Sequence, residues 1–222
     1  MGTRHHLWKT TMLYDLPFGR GRRFAASAPH ALDTILGGWR LSNIFTVQTG
    51  AYVTPYFDAG QGDPSGTGSG LKSTAAGWDP SRRPQHADLV AGTNWKPANQ
   101  NRGNWIHAAA FACPGNASWT PGTSCTTGSG SGAAPLPIGR FGNAPVGAVN
   151  GPGFVSLDSG LVKTFAITNK LHLRAEGTFT NVLNHLNLDE STLNLGLSSS
   201  SFGVMTKGLT PRQGQVSMRL EF

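Results

Sequence analysis

From Pro211 to the last residue the even positions read Arg212, Gly214, Val216, Met218, Leu220 and Phe222, and the odd ones Gln213, Gln215, Ser217, Arg219 and Glu221. This alternation, one apolar side and one polar side, predicts a strand whose two faces meet different surroundings. Lys170–Val182 repeats it: Leu171, Leu173, Ala175, Gly177 and Phe179 fall on one face, His172, Arg174, Glu176, Thr178 and Thr180 on the other. Three weaker segments precede these. Trp8, Thr10, Met12 and Tyr14 alternate with Lys9, Thr11, Leu13 and Asp15. Between Trp39 and about Thr54, Trp39, Leu41, Phe45 and Val47 oppose Arg40, Ser42, Thr46 and Gln48, and Asn43 with Ile44 breaks the pattern. From Phe154 to Phe165, Val155, Leu157 and Leu161 oppose Ser156, Asp158 and Gly160.

Each segment runs about 10 to 15 residues, twice the usual length of a soluble strand, and a tilted strand needs about 9 to 11 residues to cross a bilayer. Aromatics near the strand ends, Trp8, Tyr14, Trp39, Phe165 and Phe222, suit interfacial girdles. The predicted class is all-β: an antiparallel transmembrane β-barrel segment of about five long strands. A soluble β-sandwich also alternates, and length, polar inner faces and low charge together favour the membrane barrel over it.

The connections point the same way. A tight turn around Ala166 to Asn169 joins the third strand to the fourth, whereas residues 55–153 separate the second from the third. Barrels of the outer membrane have short periplasmic turns and long extracellular loops. That places 55–153 and 184–210 outside, and 166–169 and Leu16 to Gly38 on the periplasmic side. The last of these holds the basic run from Phe18 to Phe24 and a predicted short helix from Pro29 to Leu36.

Composition narrows the reading further. With 30 Gly and 14 Pro among 222 residues a mostly helical fold is excluded, and charged residues make up only 13%. The net charge of +7 comes from scattered Lys and Arg. Arg20, Arg22 and Arg23 form the densest cluster, too sparse for a nucleic-acid footprint. Cys113 and Cys125 fit neither a CxxC motif nor a zinc site, and a loop disulfide in an oxidising compartment is favoured over two free thiols. Closing that loop would contribute roughly 3 kcal/mol. No segment has the apolar length of a membrane helix, and Met1 to His6 has no signal-peptide core, so either the protein is not exported or the chain begins downstream of its true start.

Several runs carry a family resemblance: Tyr14 to Gly21 (YDLPFGRG), Leu36 to Ser42 (LGGWRLS), Gly151 to Phe154 leading into Leu157 and Asp158, Arg174 to Glu176, Asn181 to His185 (NVLNH), Phe202 with Gly203, and Pro211 to Gln213. Arg83 with Pro84, Asp88 to Val90 and Trp105 to Phe111 add to it within the large loop. In order and spacing the whole chain resembles the final strands of TonB-dependent outer-membrane receptors of the Oar-like kind. The resemblance implies a plugged barrel of about 22 strands, of which residues 1–222 form the C-terminal portion, with the plug and the TonB-contacting segment absent. It implies localisation in the cell outer membrane and ligand uptake energised from the inner membrane. It also implies that the segment alone does not transport, and the transported ligand is left open. Its partners would be outer-membrane lipid and the barrel-assembly machinery, with TonB reached only through the absent N-terminal region and no nucleic acid bound.

The candidate residues follow from the alternation. Asp158, His172, Arg174, Glu176, Gln213, Gln215 and Arg219 are expected to face the lumen, the first four as a buried ion-pair network. Val216, Met218, Leu220 and Phe222 are expected to serve as a C-terminal assembly signal. Leu171, Leu173 and Phe179 are expected to face lipid, where Arg in place of Leu173 would cost about 2–4 kcal/mol near the midplane. His5 and His6 read as a solvent-exposed pair rather than a metal site. Gly19 to Gly21 is a turn, Ser156 with Asp158 lacks the hydrolase elbow, and Asn116 to Ser118 is an incidental glycosylation match. No catalytic constellation, cofactor or metal site is expected, and the chain is not read as an enzyme. The rival expectation is a secreted soluble β-sandwich or adhesin module that binds a glycan or protein through 55–153.

Overall fold

The computed structural model describes residues 3–57, 85–116, 119–123, 139–168 and 170–222. In chain order the elements are β1 (Leu7–Asp15), helix α1 (His30–Leu36), β2 (Trp39–Gln48), then the two-residue strands β3 (Tyr52–Val53), β4 (Tyr56–Phe57), β5 (Gln85–His86), β6 (Asp88–Leu89), β7 (Phe111–Ala112) and β8 (Val149–Asn150). The long strands β9 (Phe154–Ala166), β10 (His172–Thr180) and β11 (Gln213–Glu221) close the chain. The chain forms two compact units.

The first unit, residues 6–49, 153–187 and 209–222, holds the five long strands in one antiparallel sheet, ordered β1-β2-β9-β10-β11. Its register is unbroken, from Leu7 opposite Gln48 to Thr180 opposite Gln213. The five strands read from alternation all form: β1 and β9 run a residue further than the pattern, while β2, β10 and β11 are shorter than it. Lys170 and Leu171 lie outside β10 because Leu171 O accepts the Ile167 and Thr168 N–H groups that close the turn. Asn43 and Ile44 do not interrupt β2. Asn43 sits on the apolar side and accepts a hydrogen bond from Ser159 Oγ of β9, so two polar groups satisfy each other there. Strand β2 ends before Gly50 rather than reaching Thr54.

Across the sheet, opposed residues share a side, so the register sorts the faces. One carries Trp8, Met12, Leu41, Phe45, Val155, Leu157, Leu161, Leu173, Phe179, Val216, Met218 and Leu220. Val216 and Met218 are each 73% exposed, as bare as surface lysines would be in a soluble domain. A small residue is required once on this face. Gly214 lies opposite Phe179, and a Cβ on Gly214 would come within 2.5 Å of the Phe179 ring, which lies over it.

The second unit, residues 1–5, 50–152 and 188–208, is where the sequence reading needs amending. That reading treats 55–153 and 184–210 as separate loops, but described residues of both pack around one apolar core. Phe57, Ile106, Phe111, Val149, Leu197 and Met205 are almost completely buried. Phe202 meets the rings of Phe111 and Trp119 edge-on, with centroids 6.2 and 6.4 Å away. Regular ladders are minimal: β3 with β8, β4 with β5 and β6 with β7. Gly50 admits the chain, because a Cβ there would lie 1.8 Å from Gly151 O.

Candidate functional site

The residues assigned to the lumen all fall on the polar side of the sheet. His172, Arg174 and Glu176 of β10 face Glu221, Arg219 and Ser217 of β11, Gln213 and Gln215 continue the row, and Asp158 of β9 shares the side. They do not form one buried network. Arg174 pairs with Glu176 two residues along its own strand, at 3.2 Å and partly exposed. Asp158 is engaged elsewhere, accepting from Ser156 Oγ at 2.8 Å and from the Asn181 N–H at 2.9 Å.

The register explains the pairing along the strand. Arg174 stands directly opposite Arg219, a repulsive arrangement, and each arginine has its own carboxylate two positions on, Glu176 and Glu221. Two polar recesses indent this face. One, about 250 Å³, gathers Asp15, Arg22, Arg40, Thr164 and Arg174, with Arg40 Nε donating to Asp15 at 2.7 Å. The other, about 440 Å³, is lined by Thr178, Thr180, Gln213, Gly214 and Gln215. The surface offers charge and hydrogen-bonding groups, and among the described residues no group of three or more His, Cys, Asp or Glu is placed to hold a metal ion. The His5 ring packs edge-on against Tyr52, with centroids 4.9 Å apart.

Two polar devices escape the sequence reading. Lys163 of β9 sits on the apolar side yet is only 2% exposed. Its Nζ donates to the Ile35 and Gly37 carbonyls at the C-terminus of α1, between the rings of Trp39 and Phe165 at 5.1 and 5.0 Å. Helix ends leave carbonyls unpaired and attract cations, which accounts for the contact. The signal is present in the chain, since Lys163 interrupts the apolar series Val155, Leu157, Leu161, Phe165.

The other device is in the loop unit. Both Asp88 carboxylate oxygens receive the Arg140 guanidinium at 2.7 Å, and the Gly115 and Asn143 N–H groups complete the shell at 2.9 and 3.0 Å. Burial pushes the Asp88 pKa up, but the Arg140 hydrogen bond and the two backbone donors outweigh it and hold the carboxyl below its ordinary value. A lowered carboxylate stabilises the fold above its unfolded pKa and loses that contribution as pH falls through the folded one. Acid is therefore expected to loosen the loop unit as pH falls below the ordinary carboxylate range, and Asp88→Asn to flatten that limb, read by protease cleavage after pH jumps. Unchanged acid sensitivity in the variant would contradict the assignment. Nothing in the sequence signals this pairing across fifty-two positions. Cys113, buried beside this core, is disulfide-bonded, and Cys125 lies outside the described residues.

At the end of β11, Val216, Met218 and Leu220 form an exposed apolar row along an edge strand, and Phe222 is fully exposed. A family described as an outer membrane beta barrel domain matches residues 2–215. Neither the curated proteins nor the solved structures compared with the chain gave a match.

Proposed function

Because the chain belongs to the outer membrane beta barrel domain family and so lies in the outer membrane, we propose that it forms part of the wall of a TonB-dependent receptor, the C-terminal portion of a ligand-uptake channel. The observation that carries this reading is the sheet itself: one apolar exposed face suited to lipid, and one face gathering Asp158, Arg174, Glu176, Gln213, Gln215 and Arg219 suited to a water-filled lumen. The resemblance of its motifs to Oar-like receptors supports the finer assignment. The loop unit is extracellular and meets the ligand first, the 16–38 connection is periplasmic, and the segment binds and passes ligand without acting as an enzyme. β1 and β11 pair with further strands of the receptor, since unpaired strand edges in hydrocarbon cost several kcal/mol per polar group. TonB is contacted through a region outside this segment.

The test is in vivo crosslinking of the complete gene product to the periplasmic domain of TonB in energised cells. A crosslink that collapses with the proton gradient is expected. Outer-membrane insertion with no such crosslink would leave a barrel and overturn the receptor.

The same reading makes the β11 row an assembly signal for the barrel-assembly machinery. Deleting Phe222 is expected to reduce insertion much more than Glu221→Gln, although both lie at the strand end. Equal insertion of the two variants would leave only an amphipathic edge strand.

A further inference from the structure

The connection between β1 and β2 is longer than a tight turn, and it is built. Residues 17–24 close on themselves: the Phe24 N–H donates to Pro17 O and the Gly19 N–H to Phe24 O, with the Phe18 and Phe24 rings 5.6 Å apart. This knot is tied to α1, since Asp33 Oδ1 accepts the Arg20 N–H at 2.6 Å and a Cβ on Gly19 would lie 2.8 Å from Gly37 Cα. The helix in turn is fixed to the sheet. Its C-terminal carbonyls take Lys163 Nζ, and Trp39 Nε1 donates to Ile35 O at 2.9 Å. Trp39 and Lys163 are register partners on the apolar face, so α1 ends on the side of the sheet that meets lipid, not on the lumen side.

What α1 presents there is apolar. Leu32, Ile35 and Leu36, at i, i+3 and i+4, share one side of the helix and are 47, 63 and 38% exposed. Arg20 and Arg23 are exposed in the knot beside it, Arg23 over the Phe24 ring at 5.6 Å. A short helix with an apolar stripe, a neighbouring aromatic pair and basic side chains has the composition of an interfacial element, whose apolar side enters the headgroup–acyl boundary while cations meet phosphate.

We propose that α1 and its knot are a lipid anchor, with Leu32, Ile35 and Leu36 lying in the inner leaflet of the outer membrane and Arg20 and Arg23 against anionic phospholipid headgroups. The inference rests on the reading above that the apolar face meets lipid and that this end is periplasmic. The lipid-facing sheet runs without interruption into the helix through Trp39 and Lys163, which is the argument for bilayer lipid over another protein as the occupant. Lys163 holds the helix in place from below, so that the lysine never meets hydrocarbon.

The test places a small fluorophore on Ile35→Cys in the complete gene product, reconstituted in vesicles, and compares quenching by brominated lipid and by aqueous iodide. Labels at Leu161 and Thr178 serve as references for the apolar and polar faces. The Ile35 label is expected to be quenched by brominated lipid and shielded from iodide, like the Leu161 label. Adding phosphatidylglycerol to phosphatidylcholine vesicles is expected to strengthen that quenching, and Arg20→Gln with Arg23→Gln to abolish the gain. Quenching by iodide, or by neither agent, while the Leu161 label still reports lipid overturns the anchor alone. No lipid quenching at Leu161 overturns the reading beneath it. Indifference to phosphatidylglycerol overturns the role of the two arginines.

Discussion

Replacing Leu161 by arginine is expected to destabilise the folded barrel by about 2–4 kcal/mol, the cost of a cation at the bilayer midplane on the lipid side. Leu161 is in the middle of β9, itself the central strand, opposite Leu41 on one side and Gly177 on the other, and its side chain is on the apolar face. The position matters as much as the face. Leu173, which the alternation alone offers for the same test, lies one residue from the start of β10 at the turn end of the sheet. An arginine there snorkels to the interface, and its cost falls to about 0–1 kcal/mol. Arg174→Gln, on the polar face, removes a partly exposed pair and is expected to cost still less. Urea titrations of the complete gene product in lipid vesicles give the three values. Equal cost at Leu161 and Arg174 would mean the faces are reversed.

Phe111→Ala is expected to cost about 3–5 kcal/mol, and to spend it in one place. The ring is 0% exposed in the middle of the loop core, and its removal leaves Phe202 without its edge-on partner. Since the core of the loop unit is drawn from residues 57, 87–149 and 193–205 and the sheet from others, the loss is confined to the loop unit. Protease should then cut within 85–116 and 188–208 while the barrel keeps its heat-modifiable shift on gels. A lost gel shift together with the cleavage would show that the two units fold as one.

The sheet was legible because its signal is local. Period-two alternation of Gln213 to Glu221 or His172 to Thr180 states both the strand and its faces, and the register then puts every predicted polar residue on one side. Even the exceptions were written in the chain, Lys163 and Asn43 standing out on the apolar face, but their partners were not. Those partners lie on distant segments: Ile35 and Gly37 for Lys163, Ser159 for Asn43. The loop core was illegible for the same reason. Gly-, Ser- and Pro-rich runs carry no period, so nothing local announces that Phe111 packs on Phe202 or that Asp88 meets Arg140. The expected ion-pair network failed on a simpler point: residues sharing a face are not thereby neighbours, and Asp158 opposes Thr180 in the continued register, well along the strands from Arg174.

The most direct measurement is a nitroxide scan along β10 and β11 of the complete gene product in vesicles, comparing collision with oxygen, which concentrates in lipid, and with a water-soluble nickel complex. Oxygen should dominate at positions 173, 175 and 179 and at 216, 218 and 220, and nickel at 174, 176 and 178 and at 215, 217 and 219. The parity therefore inverts between the two strands, as the pairing of Ala175 with Met218 and of Glu176 with Ser217 requires. Uniform access to nickel at all twelve positions, or the same parity on both strands, would contradict a sheet with one face in lipid and the other in the lumen.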